Sequence, residues 1–297
     1  VRLNGWIIYN GHLPGNKFLD FAEWLQKAAA RKDVPAKIWK NNELLSFLTA
    51  DEVILIDDDE QLLPNFVIFT DKDIYLANQL EQMGVRVYNC SDAIRISDDK
   101  ILTYQALSIH NLPIPKTIIA PKIFMNNVEV DHATCDKAVT TLGLPMIVKE
   151  AFGSFGEQVY LVHTAQELKE KVAMLQGKPF MFQEFIDSSY GKDMRLHVVG
   201  DEVVAAMMRT ASDDFRANVT AGGTMESYQP TPKENEIAIA ATKAIGADFA
   251  GVDLLFGADG HPIICELNSN AHIRNMYDCT KINVADYIID YIVDKEK

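Results

Sequence analysis

Cysteine is scarce and scattered in this chain. The four thiols, Cys90, Cys135, Cys265 and Cys279, form no CxxC pair. That excludes a disulfide framework and a cysteine zinc site, and it points to reduced thiols in a cytoplasmic protein. Basic charge is also in deficit: 28 Lys and Arg stand against 42 Asp and Glu, a formal net charge of −14. Such a balance argues against nucleic acid or an acidic membrane surface as the main partner. No apolar run approaches the ~20 residues that span a bilayer, and the first residues hold too short an apolar stretch for a signal peptide. No GxGxxG follows the first apolar run, and there is no HRD tripeptide, internal repeat or low-complexity linker. A dinucleotide fingerprint, a protein kinase loop and a solenoid are therefore all excluded.

What is present is ordinary globular composition, 48% hydrophobic and 24% charged over 297 residues, enough for two or three packed units. From Gly5 to about Cys90, the runs GWIIYN, AKIWKN, NFVIFT and VRVYN read as strands. Phe18, Phe21, Ala22, Leu25 and Ala28 fall at helical spacing between the first two. This rhythm implies a small parallel sheet covered by helices. Ser97 is then expected to cap a helix from Asp98 to about His110, stopped by Pro113 and Pro115. Beyond it, PMIVKEAF, QVYLVH, FMFQEFI, MRLHVVG and EVVAAMMR succeed one another with short turns. Helices are expected near 165–175 and 233–245, which makes an antiparallel sheet with outer helices. A last helix is expected from Asn283, with Val284, Tyr287, Ile288, Tyr291 and Ile292 on one face.

The stretch PIICELNSN, 262–270, sets Glu266, Asn268 and Asn270 at every second position of an otherwise apolar strand, hence on one face. Its partner is AGVDLLFGADGHP, where Asp259-Gly260 is a strong two-residue hairpin signal. With those two at the tip, Ala258 pairs with His261 and Asp253 lies directly opposite Glu266. Two carboxylates ~4 Å apart repel by roughly 4 kcal/mol at an effective dielectric near 20, so something must compensate. Two carboxylates and an amide oxygen suit Mg²⁺, a hard cation that also takes phosphate oxygens. The plainer alternative is a solvent-facing acidic strand.

VKEAFGSFGEQVYLV places Lys149 at a strand end, then Gly153, Ser154 and Gly156, then another strand. Glycines let backbone N–H groups approach phosphate oxygens, and the lysine supplies countercharge. A P-loop has its lysine after the glycines and opens a helix; here the lysine precedes them and strands flank both sides. Alone, the segment reads equally as a hairpin turn. Downstream, Glu184 sits among apolar residues, Asp193 follows a loop, and Arg216 and Asn218 occupy a polar loop ending in glycines.

In order, Asp99-Lys100, VK…GSFG (Lys149 to Gly156), QEFI (Gln183 to Ile186), KDMR (Lys192 to Arg195), RAN (Arg216 to Asn218), AGVD (Ala250 to Asp253) and ELN (Glu266 to Asn268) resemble the ATP-grasp ligases. Nearest among these are the RimK-like carboxylate–amine ligases of the ribosomal protein S6 and lysine-biosynthesis type. The resemblance runs from about residue 90 to the C-terminus. It implies an α/β N-terminal pre-ATP-grasp domain (1–95), then an α+β ATP-grasp domain. The latter has two subdomains with antiparallel sheets and flanking helices (96–182 and 183–297).

It further implies ATP held between the subdomains by Lys100, Lys149 and the Gly153–Ser154–Gly156 loop. The backbone at Glu184 and Phe185 would read adenine, and Asp193 would bind ribose. Arg216 and Asn218 would be the catalytic residues near the γ-phosphate and acyl phosphate. Asp253, Glu266 and Asn268 would hold Mg²⁺, with Mn²⁺ as a substitute. The implied reaction is ADP-forming: a carboxylate attacks the γ-phosphate, and an amine then displaces phosphate to give an amide.

Two stretches depart from the family pattern. Glu150-Ala151 stand where many relatives have a proline, and SNAHIRNM (269–276) replaces a proline–glycine turn on the acceptor side. Asn270, His272 and Arg274 are thereby candidates for reading a small amino acid, peptide or glutamate-like substrate. Arg274 is suited to a carboxylate, and His272 is a candidate base or simply a packed histidine. A small-molecule kinase on the same fold and a non-catalytic ATP-binding regulator are the competing readings. Oligomeric state is left open, a homo-oligomer included.

Overall fold

The computed structural model describes residues 3–56, 62–125, 132–154, 156–217 and 222–297. The chain opens with β1 (Gly5–Tyr9), α1 (Lys17–Arg31), β2 (Ala36–Lys40), β3 (Leu45–Leu48), β4 (Val53–Ile56), β5 (Phe66–Phe69), α2 (Ile74–Gln82) and β6 (Arg86–Tyr88). The four strands read from sequence form an all-parallel sheet in the order β2-β1-β5-β6. Both faces are covered, as parallel sheets require. Ile7 packs with α1 on one side, whereas Trp6 and Ile8 pack towards Leu76, Ala77 and Leu80 of α2 on the other. The sequence reading missed the antiparallel β3–β4 hairpin, which projects from this sheet with Leu45, Leu48 and Ile56 exposed.

Two short helices lead out of this unit, α3 (Ser91–Asp98) and α4 (Lys100–Ile109). The expected cap at Ser97 is corrected. Asp99 is the N-cap of α4, its carboxylate accepting from the Ile101 and Leu102 N–H groups, while the Ser97 hydroxyl donates back to the Ile94 carbonyl. Asp99 is extended there (φ −93°, ψ 103°), so the expected helix begins at Lys100, and α3 before it was not anticipated.

The middle of the chain adds β7 (Thr117–Ile119), α5 (His132–Leu142), β8 (Met146–Glu150), β9 (Val159–Val162), α6 (Ala165–Met174) and β10 (Phe180–Glu184). Its antiparallel sheet runs β7-β10-β8-β9, with α5 and α6 on one face. β10 crosses the 182/183 division expected from sequence. The remainder comprises β11 (Lys192–Val199), β12 (Glu202–Thr210), β13 (Thr224–Ser227), α7 (Pro232–Ala244), β14 (Phe249–Phe256), β15 (Pro262–Asn268), α8 (Arg274–Thr280) and α9 (Val284–Lys295). A five-stranded antiparallel sheet, β13-β12-β11-β14-β15, rests one face on α7 and α4. α9, capped by Asn283, buries Val284, Ile288 and Ile292 in one core with Ile7, Phe21 and Leu25. Of the face expected for α9, Tyr287 is exposed and Ile289 takes a buried place. α9 thus joins the first unit to the last. No helix among the described residues is long and apolar enough to cross a membrane.

Candidate active site

The three sheets surround a cavity of about 1110 Å³. It is lined by Lys149, Ser154, Gly156, Glu184, Phe185, Asp193, Arg216, Asp253, Glu266, Asn268, Asn270, His272 and Arg274, so most residues singled out in the sequence meet there. Lys100 and Gly153 stand just behind that lining: the Lys100 ammonium donates to the Gly153 carbonyl at 2.8 Å and lies 3.7 Å from Glu266. Asn218 lies outside the described residues.

Asp253 is opposite Glu266 in the β14–β15 ladder, as expected, with Gly251 opposite Asn268. The route to that register differs from the sequence reading. The loop holds three residues, because Gly257 N–H donates to His261 O and Phe256 pairs with Pro262. Leu254 pairs with Ile264, leaving Cys265 as the extra residue of a β-bulge. These two departures offset each other. The bulge also frees the Cys265 carbonyl, which accepts from the Tyr104 hydroxyl at 2.6 Å; that hydroxyl in turn accepts from the Lys149 ammonium at 3.3 Å.

The carboxylate repulsion anticipated at the hairpin is compensated by arginines that the sequence reading did not assign. Arg195, directly across β11 from Asp253, forks onto both its oxygens at 2.7 Å. Arg209 on β12 donates to Asp253 at 2.9 Å and forks onto Asp193 at 2.7 and 2.5 Å. Opposite charges thus alternate across three strands, from Arg209 through Asp193 and Arg195 to Asp253. Burial would raise the Asp253 pKa, but the two guanidinium groups hold it down at about 2. Arg195 stood in the quoted KDMR run without a role. Its partner becomes visible only through the β11–β14 pairing.

No group of three or more His, Cys, Asp or Glu side chains that could hold a metal occurs among the described residues, so any such site rests on two carboxylates and one amide. Asp253 Oδ1 accepts one hydrogen bond and Oδ2 two, and a carboxylate oxygen offers two lone pairs. One position on Oδ1 stays available. Glu266 and Asn268 accept no side-chain hydrogen bond among the described residues, and the Lys100 ammonium stands 3.7 Å from Glu266. Three oxygen donors of this kind fit Mg²⁺.

The glycine loop is the β8–β9 hairpin connection. Gly153 (φ 141°) and Gly156 (φ 73°) occupy backbone that only glycine adopts freely, and a Cβ on Gly153 would fall 2.2 Å from Gln158. Arg216 reaches over it, donating to the Gly156 carbonyl at 2.5 Å while Asp214 holds its other nitrogens. At the opposite wall Glu184 is tied to Lys116: its carboxylate accepts from the Lys116 N–H at 2.8 Å. The Phe185 ring stands edge-on to Phe215 and Tyr190, giving that wall an aromatic surface.

The acceptor-side residues come out differently from one another. Asn270 donates weakly to the Thr70 carbonyl, at 3.4 Å. His272 packs against the rings of Phe18 and Phe21. Burial, with Lys17 and Arg195 adding to it, presses its pKa to about 4. It is therefore neutral at pH 7 and poorly suited to accept a proton, which supports the packed-histidine reading. Arg274 is already engaged, forking onto Asp20 of α1 and lying 4.5 Å over the Trp24 ring.

Three sheets closing on one charged cavity in this order form the ATP-grasp arrangement. The RimK-like ATP-grasp domain matches residues 97–292, and the chain belongs to that family. An uncharacterized protein of Mycoplasma pneumoniae, the MG012 homolog, is 32% identical over 275 residues, covering 90% of this chain and 93% of its own. A probable alpha-L-glutamate ligase 2 of Shewanella amazonensis is 37% identical over 220 residues, 73% of this chain and 70% of its own. Among solved structures, the ATP-grasp ligase PsnB complexed with its minimal precursor, Mg and ADP is similar with a TM-score of 0.72. It is 16% identical and 98% of each chain is covered, a likeness of fold.

Proposed function

We propose that this chain is an ATP-dependent, ADP-forming carboxylate–amine ligase that makes an amide through an acyl phosphate. The observation that carries it is the meeting, in one cavity of a RimK-like chain, of the Asp253–Glu266–Asn268 oxygen set with buried Lys149 and, just behind, buried Lys100. Lys149 and the amides of the Gly153–Ser154–Gly156 loop hold the phosphates, and Lys100 supplies countercharge from behind Glu266. The aromatic wall at Phe185 and Phe215 receives the base, with the Glu184–Phe185 backbone at its edge. Asp193, already forked by Arg209, faces the ribose. Arg216, drawn from Asp214, neutralises charge at the transferred phosphoryl group, and Asn218 is assigned to the same step from the family motif alone.

Asp253, Glu266 and Asn268 are the residues that hold Mg²⁺, or Mn²⁺ in its place. When bound, the ion neutralises phosphate charge and orients the γ-phosphate for in-line attack. The substrate carboxylate attacks that phosphorus, ADP leaves, and the amine then displaces phosphate from the acyl carbon. We place a pre-ATP-grasp domain at 1–95 and the two ATP-grasp subdomains at 96–182 and 183–297, the division moved to the end of β10, in a cytoplasmic protein acting on an amino acid, small peptide or glutamate-like molecule. Mass spectrometry of products from ATP and an amino acid panel tests this. ADP with an amide supports it; a phosphorylated acid as end product returns the kinase reading, and no ADP at all returns the regulatory one.

A further inference from the structure

The carboxyl ends of β1 and β5 in the N-terminal sheet reach the same cavity. β1 has β2 on one side and β5 on the other, with α1 and α2 on opposite faces. The chain therefore reverses direction across the sheet between β1 and β5. In open parallel sheets such a switch point leaves a crevice beyond the carboxyl ends of the two strands, and ligands bind there. The residues just past those ends are Asn10 and Asp71, and both line the cavity.

Asp71 is the anomaly at this crevice. It is only 6% exposed, yet its carboxylate is held by the Asn10 amide at 3.2 Å to each oxygen, and it forms no ion pair among the described residues. The adjacent Lys72 is committed to Asp98 at 2.6 Å, and Asp73 adds further negative charge nearby. Burial pushes the Asp71 pKa up, partly opposed by the Lys72 N–H and the Asn10 amide. A buried charge without a counterion is costly unless a partner arrives. The backbone that carries Asp71 is rigid: Thr70 N–H and hydroxyl both donate to the Ile8 carbonyl at 2.9 Å. The Asn270 amide, two residues past Asn268, reaches the Thr70 carbonyl, so the crevice adjoins the end of β15. Lys17, Arg195 and Arg274 also line the cavity, Arg195 shared with Asp253 and Arg274 with Asp20, so its lining holds cationic groups for an amino acid's carboxylates.

We propose that Asp71, oriented by Asn10, binds the ammonium group of the amine substrate and accepts its first proton. The inference rests on the ligase reading above. The ammonium gives one proton to the Asp71 carboxylate, and the freed nitrogen lone pair attacks the acyl carbon. A C–N bond forms, the C–O bond to phosphate breaks, and phosphate departs with that electron pair. Phosphate takes the second nitrogen proton, and Asp71 returns its proton to solvent when the amide leaves.

The test compares L-glutamate with glutarate, the same diacid without the ammonium, by titration calorimetry on the whole chain. Wild type is expected to hold L-glutamate about 10- to 100-fold more tightly, the range for one charge-assisted hydrogen bond. Asp71→Asn should erase that preference and leave glutarate binding unchanged, with Asn10→Ala intermediate and thermal melts confirming the fold. In turnover, Asp71→Asn should recover towards wild type as pH rises and solvent supplies neutral amine. Equal affinities in wild type, or an Asp71→Asn protein that keeps the preference, would overturn the proposal. Binding is read without catalysis, so a chain that prefers L-glutamate through Asp71 yet makes no amide would sink the ligase reading alone.

Discussion

The two ends of the cavity are built on different principles. At the proposed metal and phosphate end, Arg209, Asp193, Arg195 and Asp253 stand on three adjacent strands of one sheet, each fixed by ladder pairing and by a forked ion pair. At the proposed acceptor end, Asp20 comes from α1, Asp71 from just past β5, and Arg274 from the start of α8. Groups on paired strands are preorganised before any ligand arrives, which is what charge neutralisation at a phosphoryl group needs. Groups on loops and helix starts of separate units can be exchanged without disturbing a sheet, so substrate choice is free to vary at that end.

The largest effect that would break this contrast is expected at Asp253. Asp253→Asn should lower ADP release by on the order of 10²–10³ or more. It should also reduce stability by about 3–5 kcal/mol, since Arg195 and Arg209 lose a buried partner. The hairpin alone suggested that relieving a carboxylate pair would leave the free protein no less stable; the arginines reverse that expectation. Denaturant unfolding beside an ADP assay decides it, and an unchanged midpoint would remove the ladder from the stability of this end.

Next in size is Lys149→Ala, expected to weaken an ATP analogue about 10- to 100-fold through loss of a charge-assisted phosphate contact. Calorimetry reads it, and unchanged affinity would return GSFG to a plain hairpin turn. Arg274→Ala should raise the second substrate's KM about tenfold with the ATP KM unchanged, and Arg274→Lys should restore only part, lacking the planar fork. The stability change should be small, because Arg274 and Asp20 form a partly exposed pair. A large stability loss with no KM change would make Arg274 a strut.

The smallest effect is a pH slope. His272 has a folded pKa of about 4 and His197 of about 3, both lowered chiefly by burial. The unfolded chain binds protons near pH 6.5, so stability should fall as pH drops from about 6.5 towards 4. His272→Gln should flatten part of that slope in urea midpoints taken every half pH unit.

The facing of Asp253 and Glu266 was legible because an Asp-Gly turn and a two-residue alternation are local signals, and that register survived two local errors. The Ser97 cap failed because serine and aspartate are both good caps, and only the backbone turn at Asp99 decides between them. The β3–β4 hairpin escaped because apolar side chains such as Leu45, Leu48 and Ile56 face solvent there, so no core-facing period marks it. The arginine ladder and the Asp71 crevice depend on which strands become neighbours. Residues 193, 209 and 253, or 10 and 71, carry no trace of one another in sequence.

The Cys265 bulge gives the β14–β15 hairpin a parity. The twelve residues between Asp253 and Glu266 can be divided as a two-residue turn with a straight ladder, or as a three-residue loop with one bulge, and both set the same carboxylates face to face. Over the history of such a gene, insertions or deletions here would survive in even steps, each adding or removing a whole rung. An odd step would survive only if a bulge appeared or vanished with it. Losing the bulge would also return the Cys265 carbonyl to the ladder and detach Tyr104 and Lys149 from this strand.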